Sequence, residues 1–350
     1  QNLKELPPVG GLGRLQVLDC SHTAINELPQ GMEELTNLRL LDLSQTHYLR
    51  FFPVGIVSQL SSLEVIDMAN SECNWGETEF KELGYLDRLS VVCIHLALSY
   101  SCDLAWINKL KRFHFVIGET DAKSLMPGRY DERIVTMGYY SKYGEWIEGL
   151  LKNAESLHLD ACYLEDLTNC LTKDSCFHGL KSLHMLNCWS KSNGEGGSAA
   201  PHFDLLPNLE ELVIRSISSL ETISELAGRL GLGFSKLRVL QVSNCKRLNY
   251  LLSVGGFIPT LKNLEEVTVR SCGKLEALFK YDSFSRQTSA SSSELEEIGE
   301  CDSSGQTSVP DQVFQNLRIV KLHYLPKLEA LCRQEESWQR LEQLEVIKCE

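Results

Sequence analysis

Apolar residues recur along the chain at one fixed spacing, and between Phe234 and Leu278 the whole pattern is written twice. Phe234, Leu237, Leu240, Val242, Cys245, Leu248 and Leu251 are followed, 27 positions on, by Leu261, Leu264, Val267, Val269, Cys272, Leu275 and Leu278. Leu240 and Val242 lie two apart, which predicts a short strand with one buried face. The flanking apolar positions fall three apart and suit a turn that carries the chain back behind that strand. Cys245 and Cys272 end the strands, where a small, weakly hydrogen-bonding side chain packs against loop backbone. One such unit cannot bury its own apolar face, so the units must stack into a solenoid.

The same unit is legible from end to end. Leu12, Leu15, Leu18, Cys20, Ile25 and Leu28 form an early copy, and Leu35, Leu38, Leu41, Leu43, Leu49 and Phe52 the next, each closing on a proline (Pro29 and Pro53). Copies continue through Ile66, Val92, Phe113, Leu157, Leu183, Leu212, Val320 and Leu344, about twelve in all. This is a leucine-rich-repeat array. The expected fold is an α/β solenoid, a horseshoe with a parallel concave β-sheet and short, irregular helical or turn segments on the convex side. Residues 1–350 are expected to form one such domain, cut within a repeat at both ends.

Three stretches break the pattern and are expected as loops, near 118–133, 189–200 and 281–312. The last contains Ser289–Glu297, acidic and poor in β-branched residues, as a loosely held segment is. Arg133–Met137 supplies one irregular strand of unassigned register. Tyr130, Tyr139, Tyr140, Tyr143 and Trp146 crowd this middle region, either as exposed contact residues or as plugs between poorly packed repeats. Gly228, Gly231 and Gly233 precede a repeat rather than joining a strand to a helix, so they read as a loop and not a dinucleotide site.

Charge changes the picture by exclusion. Against 34 basic residues stand 47 acidic ones, a net charge of −13, which disfavours phosphate backbones and anionic membrane surfaces as the main partner. No apolar run approaches the roughly 18 residues of a membrane span. Gln1–Gly10 lacks the pattern of a signal peptide, and Asn2–Pro7 reads as the tail of a repeat belonging to a larger protein. Of 13 cysteines, Cys20, Cys162, Cys188, Cys245, Cys272 and Cys349 share the strand-ending position and read as packing residues. The odd total and the absence of Asn-x-Ser/Thr favour a reducing, cytoplasmic setting.

No phosphate loop, Gly-x-Ser-x-Gly elbow or His-Glu-x-x-His site occurs, so no catalytic residue, cofactor or metal ligand is assigned. The informative residues are those flanking the buried strand positions, which form the concave surface. One row reads Asp19, Asp42, Asp67, Cys93, His114, Thr136, His158, His184, Val213, Gln241, Thr268, Lys321 and Glu345. The row two positions on includes Ser21, Ser44, His95, Asp160, Arg215, Arg270 and His323. The surface therefore runs from acidic, through histidine-bearing, to partly basic, a gradient able to orient a charged protein partner. Candidate contact residues are Asp19, Asp42, Asp67, His114, His158, His184, Arg215, Arg270, Lys321 and His323. The plain alternative is that an aspartate within Leu41–Ser44 is simply a solvated strand position, and the histidines lack the tight spacing of metal ligands.

Leu35–Ser44, Leu264–Cys272 and Leu322–Leu328 resemble the C-terminal repeats of plant coiled-coil nucleotide-binding leucine-rich-repeat immune receptors. The resemblance covers nearly the whole chain outside the three loops. It implies a cytoplasmic sensor region that binds a pathogen effector or a guarded host protein. The same region would restrain a nucleotide-binding module lying outside this chain. The alternative is a substrate-recognition scaffold of a ubiquitin ligase, whose repeats also end their strands on cysteine. Those repeats continue with regular helices, unlike Leu248–Leu251 and Leu275–Leu278.

Overall fold

The computed structural model describes residues 3–96, 103–120, 132–139, 146–164, 176–189, 204–254, 261–281, 314–332 and 338–349. The segments expected as loops fall largely outside these residues. A 14-stranded sheet follows the chain in sequence order. Its strands are β1 (Val17–Asp19), β2 (Leu40–Asp42), β3 (Val65–Asp67), β4 (Asn74–Trp75), β5 (Val91–Leu96), β6 (Arg112–Ile117), β7 (Arg133–Met137), β8 (Ser156–Asp160) and β9 (Ser182–Leu186). They continue as β10 (Glu211–Arg215), β11 (Val239–Ser243), β13 (Glu266–Arg270), β15 (Ile319–His323) and β17 (Gln343–Ile347). All these neighbours pair parallel, and β4 pairs only with β5, off the main path.

The repeat reading places the buried row correctly from Leu41 to Val320, while at the two ends Leu18 is half-buried and Leu344 exposed. Leu41, Ile66, Val92, Phe113, Leu157, Leu183, Leu212, Leu240, Val267 and Val320 are all buried, and Leu240 lies opposite Val267 in the ladder. Trp75, fully buried, stacks on Phe52 with ring centroids 4.8 Å apart and donates its indole N–H to Met68 Sδ at 3.2 Å. The strand-ending cysteines are free, and Cys162, Cys188, Cys245, Cys272 and Cys349 close their turns by donating from sulfur to strand carbonyls. Cys162 Sγ reaches Met137 O at 3.0 Å, and Cys188 Sγ reaches Leu159 O at 3.5 Å. Burial pushes the Cys20 thiol up to about 11 and Cys188 higher still, so both stay protonated and unreactive.

Two further sequence devices fix the stacking. Asn37, Asn208, Asn263 and Asn316, each just before a buried leucine, donate from Nδ2 to Gly13, His178, Ser235 and Lys262 carbonyls of the preceding rung. Just past the strands, His22, Gln45, Asn70, Asn187, Asn244, Ser271, Tyr324 and Lys348 take left-handed backbone angles, φ 50° to 60°, which turn the chain away from the sheet.

Behind the main sheet the early repeats carry only 3-10 turns, at Met32–Glu34 and Val57–Gln59. Gly31, preceding the first of these, has φ 83°, and a Cβ there would meet the Gly10 backbone at 2.4 Å. Among the described residues three α-helices follow with their bounds complete: α1 (Glu77–Leu83), α2 (Trp146–Leu151) and α3 (Ile223–Leu230). Thr222 caps α3 by accepting from Glu225 N at 3.1 Å, and Gly231 ends it at φ 63°. The glycine cluster is only in part the loop expected: Gly228 lies inside α3, Gly231 terminates it, and Gly233 lies in the connection to the next repeat. In later repeats the back is itself a strand. β12 (Tyr250–Val254), β14 (Ala277–Tyr281) and β16 (Ala330–Cys332) form a second parallel sheet, built on the buried run Leu251, Leu252, Leu278 and Phe279.

Candidate functional site

The ladder arranges the outward side chains of the main sheet in three rows. The middle row carries Thr136, His158, His184, Val213, Gln241, Thr268, Lys321 and Glu345 side by side. The row on its C-terminal side carries Asp160, Leu186, Arg215, Ser243, Arg270, His323 and Ile347. A third row, on the N-terminal side, carries Ser156, Ser182, Glu211, Val239, Glu266, Ile319 and Gln343. The two-row sequence reading passed over this third row, although strand alternation places it two residues before the middle one.

At the acidic end Asp19, Asp42 and Asp67 stand in register as expected. Each carboxylate accepts from the backbone N–H two residues on, at Ser21, Ser44 and Ala69, all at 2.9 Å. The row therefore shapes the turns that follow β1 to β3 as well as facing outward. Hydrogen bonds from Ser21 hold Asp19 below the usual carboxylate range, whereas burial and the neighbouring Asp42 raise Asp67.

In the middle the ladder slips. His114 lies opposite Ile134, and Thr136 opposite Val116, so the expected neighbours His114 and Thr136 are staggered by two residues. Their side chains still meet diagonally, with Thr136 Oγ1 2.9 Å from His114 Nε2. Next to them His158 and His184 stack, ring centroids 4.4 Å apart and planes 6° from parallel. His158 Nε2 shares a hydrogen bond with Ser156 Oγ at 3.2 Å, and His184 Nε2 lies 3.8 Å from Glu211 Oε2. Ser182 Oγ donates to the same carboxylate oxygen at 3.1 Å. Thr136, Ser156, His158, Asp160, Ser182 and Glu211 are all buried, making a dense polar strip across β7 to β10. Burial lowers His114 to about 4. Burial, helped by His184 and His114, lowers His158 to about 2. Among the described residues no group of three or more His, Cys, Asp or Glu side chains is arranged to hold a metal ion.

The basic end is partly neutralised. Lys321 Nζ lies 3.9 Å from Glu266 Oε1, and His323 Nε2 lies 3.0 Å from Glu345 Oε1. Glu266 belongs to the overlooked third row, which is why the sequence reading overstated the positive charge. Arg215 is half-buried and Arg270 exposed. Of the crowded aromatics, the structure describes two: Trp146 packs against the core as a plug, while Tyr139 is 51% exposed. Tyr130, Tyr140 and Tyr143 lie outside the described residues.

The comparisons with known proteins agree with this architecture. The family described as plant disease resistance protein RPS2-like, leucine-rich repeats, matches residues 228–350, and a leucine-rich repeat region matches residues 1–163. Disease resistance protein At4g27190 of Arabidopsis thaliana is 35% identical over 99% of this chain. The chain belongs to the leucine-rich-repeat regions of plant disease resistance proteins. Probable disease resistance protein At4g27220, also from Arabidopsis thaliana, is 35% identical over the full chain. The chain spans 34% and 42% of the length of these two relatives. Among solved structures, a Leptospira interrogans LRR protein aligns over 96% of this chain and 85% of its own at 16% identity and a TM-score of 0.40. At that level the fold rests on the strand ladder itself. Among the described residues no helix of this resistance-protein region is long and apolar enough to cross a membrane.

Proposed function

We propose that this chain is the sensor region of a cytoplasmic plant immune receptor. It reads a pathogen effector or a guarded host protein on its concave face and restrains a nucleotide-binding module of the same receptor. The observation that carries the reading is the continuous parallel ladder from β1 to β17, which from β8 onward presents three aligned rows of outward side chains to one side. The match to resistance proteins supplies the biological setting. A row of this kind gives many weak contacts spread over rungs, and specificity arises from which charges coincide.

The proposal is tested by co-purifying the receptor's nucleotide-binding module with this region. Gln241→Arg and Lys321→Glu alter half-buried side chains of the middle row, and Asp87→Lys alters an exposed site away from it. The paired concave change is expected to weaken co-purification at least tenfold, while Asp87→Lys leaves it unchanged. Equal binding by wild type and the concave pair would remove the restraining role.

A further inference from the structure

The two edges of the main sheet are charged in different ways. Along the edge where the strands begin, neighbouring rungs carry Arg133, Glu155, Lys181, Glu210, Arg238, Glu265, Arg318 and Glu342, linked in turn by backbone hydrogen bonds. Charge alternates at every step. Arg238 bonds Glu265 at 2.9 Å and reaches Glu210 at 3.7 Å, Lys181 reaches Glu155 at 3.4 Å, and Arg318 bonds Glu342 at 2.8 Å. That edge satisfies itself.

The edge where β11, β13, β15 and β17 end does not. Its turns stack rung on rung, with Asn244 N donating to Arg270 O, Ser271 N to His323 O and Tyr324 N to Ile347 O. They expose Lys246, Arg247, Arg270, Lys274, Lys327 and Lys348. No Asp or Glu occurs within Ser243–Asn249, Arg270–Leu275 or His323–Leu328. Arg247 pairs with Glu221 at 2.9 Å, and the other five make no ion pair among the described residues. Tyr324, 50% exposed, stands in the same line with Lys348 Nζ 5.3 Å from its ring centre.

We infer that this edge is a docking strip for an extended, acidic segment of a protein partner that sets one apolar side chain against Tyr324. With parallel rungs spaced about 4.8 Å apart, β11 to β17 spans roughly 14 Å, the length of four or five extended residues. A short segment meets only the basic line. A long polyanion or a membrane surface would also meet the field of a chain with net charge −13. Arg270 also stands in the C-terminal concave row, and the other five basic residues lie outside the concave rows, so the strip stands whether or not those rows restrain a nucleotide-binding module.

The test uses the full chain and a fluorescent Glu-Glu-Phe-Glu-Glu-Glu peptide, with a single-stranded oligonucleotide and phosphatidylserine vesicles as competing probes. Lys246→Glu, Arg270→Glu and Lys274→Glu together are expected to weaken peptide binding at least tenfold. The corresponding glutamine changes should weaken it by less, with thermal melting unchanged. Arg14→Glu, Arg50→Glu and Arg88→Glu, an equal change of charge at exposed sites elsewhere, should leave affinity within twofold. No peptide binding by wild type, or equal losses in both triple variants, overturns the proposal. Tighter binding of the oligonucleotide or the vesicles than of the peptide overturns it as well.

Discussion

Leu240→Ala should destabilise the protein by about 2–5 kcal/mol, and Val269→Ala by about 1–3 kcal/mol. Both side chains are fully buried, and they belong to neighbouring rungs. Removing Leu240 takes contacts from its own rung and from those on either side, because each rung is covered only by its neighbours. Denaturant melts of the two variants check the magnitude. Hydrogen exchange should show the loss of protection spreading from β11 into β10 and β13. The matching control is Leu344→Ala, in the same row of the pattern but 49% exposed on β17, which should cost no more than about 1 kcal/mol. Near-wild-type melting of Leu240→Ala would contradict the register of the whole array.

The second large effect is a loss of stability on acidification. His114 and His158 are held below their ordinary value by burial, to about 4 and about 2. In the unfolded chain both take up protons near pH 6.5, whereas the folded state keeps them neutral. Stability is therefore complete above about pH 6.5 and falls as the pH drops through the interval down to the folded values. Between pH 7 and pH 5 each histidine should contribute a loss of roughly 1–2 kcal/mol. Structural context reinforces the direction: protonating His158 places a charge against the parallel ring of His184, 4.4 Å away. Chemical melts of wild type and of the His114→Gln, His158→Gln double variant at the two pH values provide the check. The double variant should be markedly less pH-sensitive, and identical slopes would show that other groups set the dependence.

The fold was largely legible because leucine-rich repeats write their geometry into short-range spacing. Leu240 and Val242 name a strand without reference to any other rung, and Cys245 marks its end. Arg133–Met137 was legible as a strand but not in its pairing, since the slip between β6 and β7 depends on how Phe113 and Ile117 seat against the next rung. The strands β12, β14 and β16 were hidden for a related reason. A back segment such as Tyr250–Val254 is extended only because two further rungs supply parallel partners, and no local residue announces that.

The concave surface was legible by row and not by charge. Glu211 and Glu266 were in plain sight two residues before Val213 and Thr268, and strand alternation alone puts them on the same face. Their omission made the end from Arg215 to His323 read as more basic than it is. The stacking of His158 on His184 had a signal too, because both hold the same repeat position in adjacent rungs. The left-handed turns at Asn187, Asn244 and Tyr324 had a weaker one, since only the asparagines favour that conformation.

Nucleotide release from the full-length receptor tests the central claim most directly, because restraint of a nucleotide-binding module is what the concave rows are held to do. Release of a labelled nucleotide would be timed for wild type, for the Gln241→Arg, Lys321→Glu pair and for Asp87→Lys. The account predicts release several-fold faster in the concave pair and unchanged in Asp87→Lys. Equal rates in all three would contradict it.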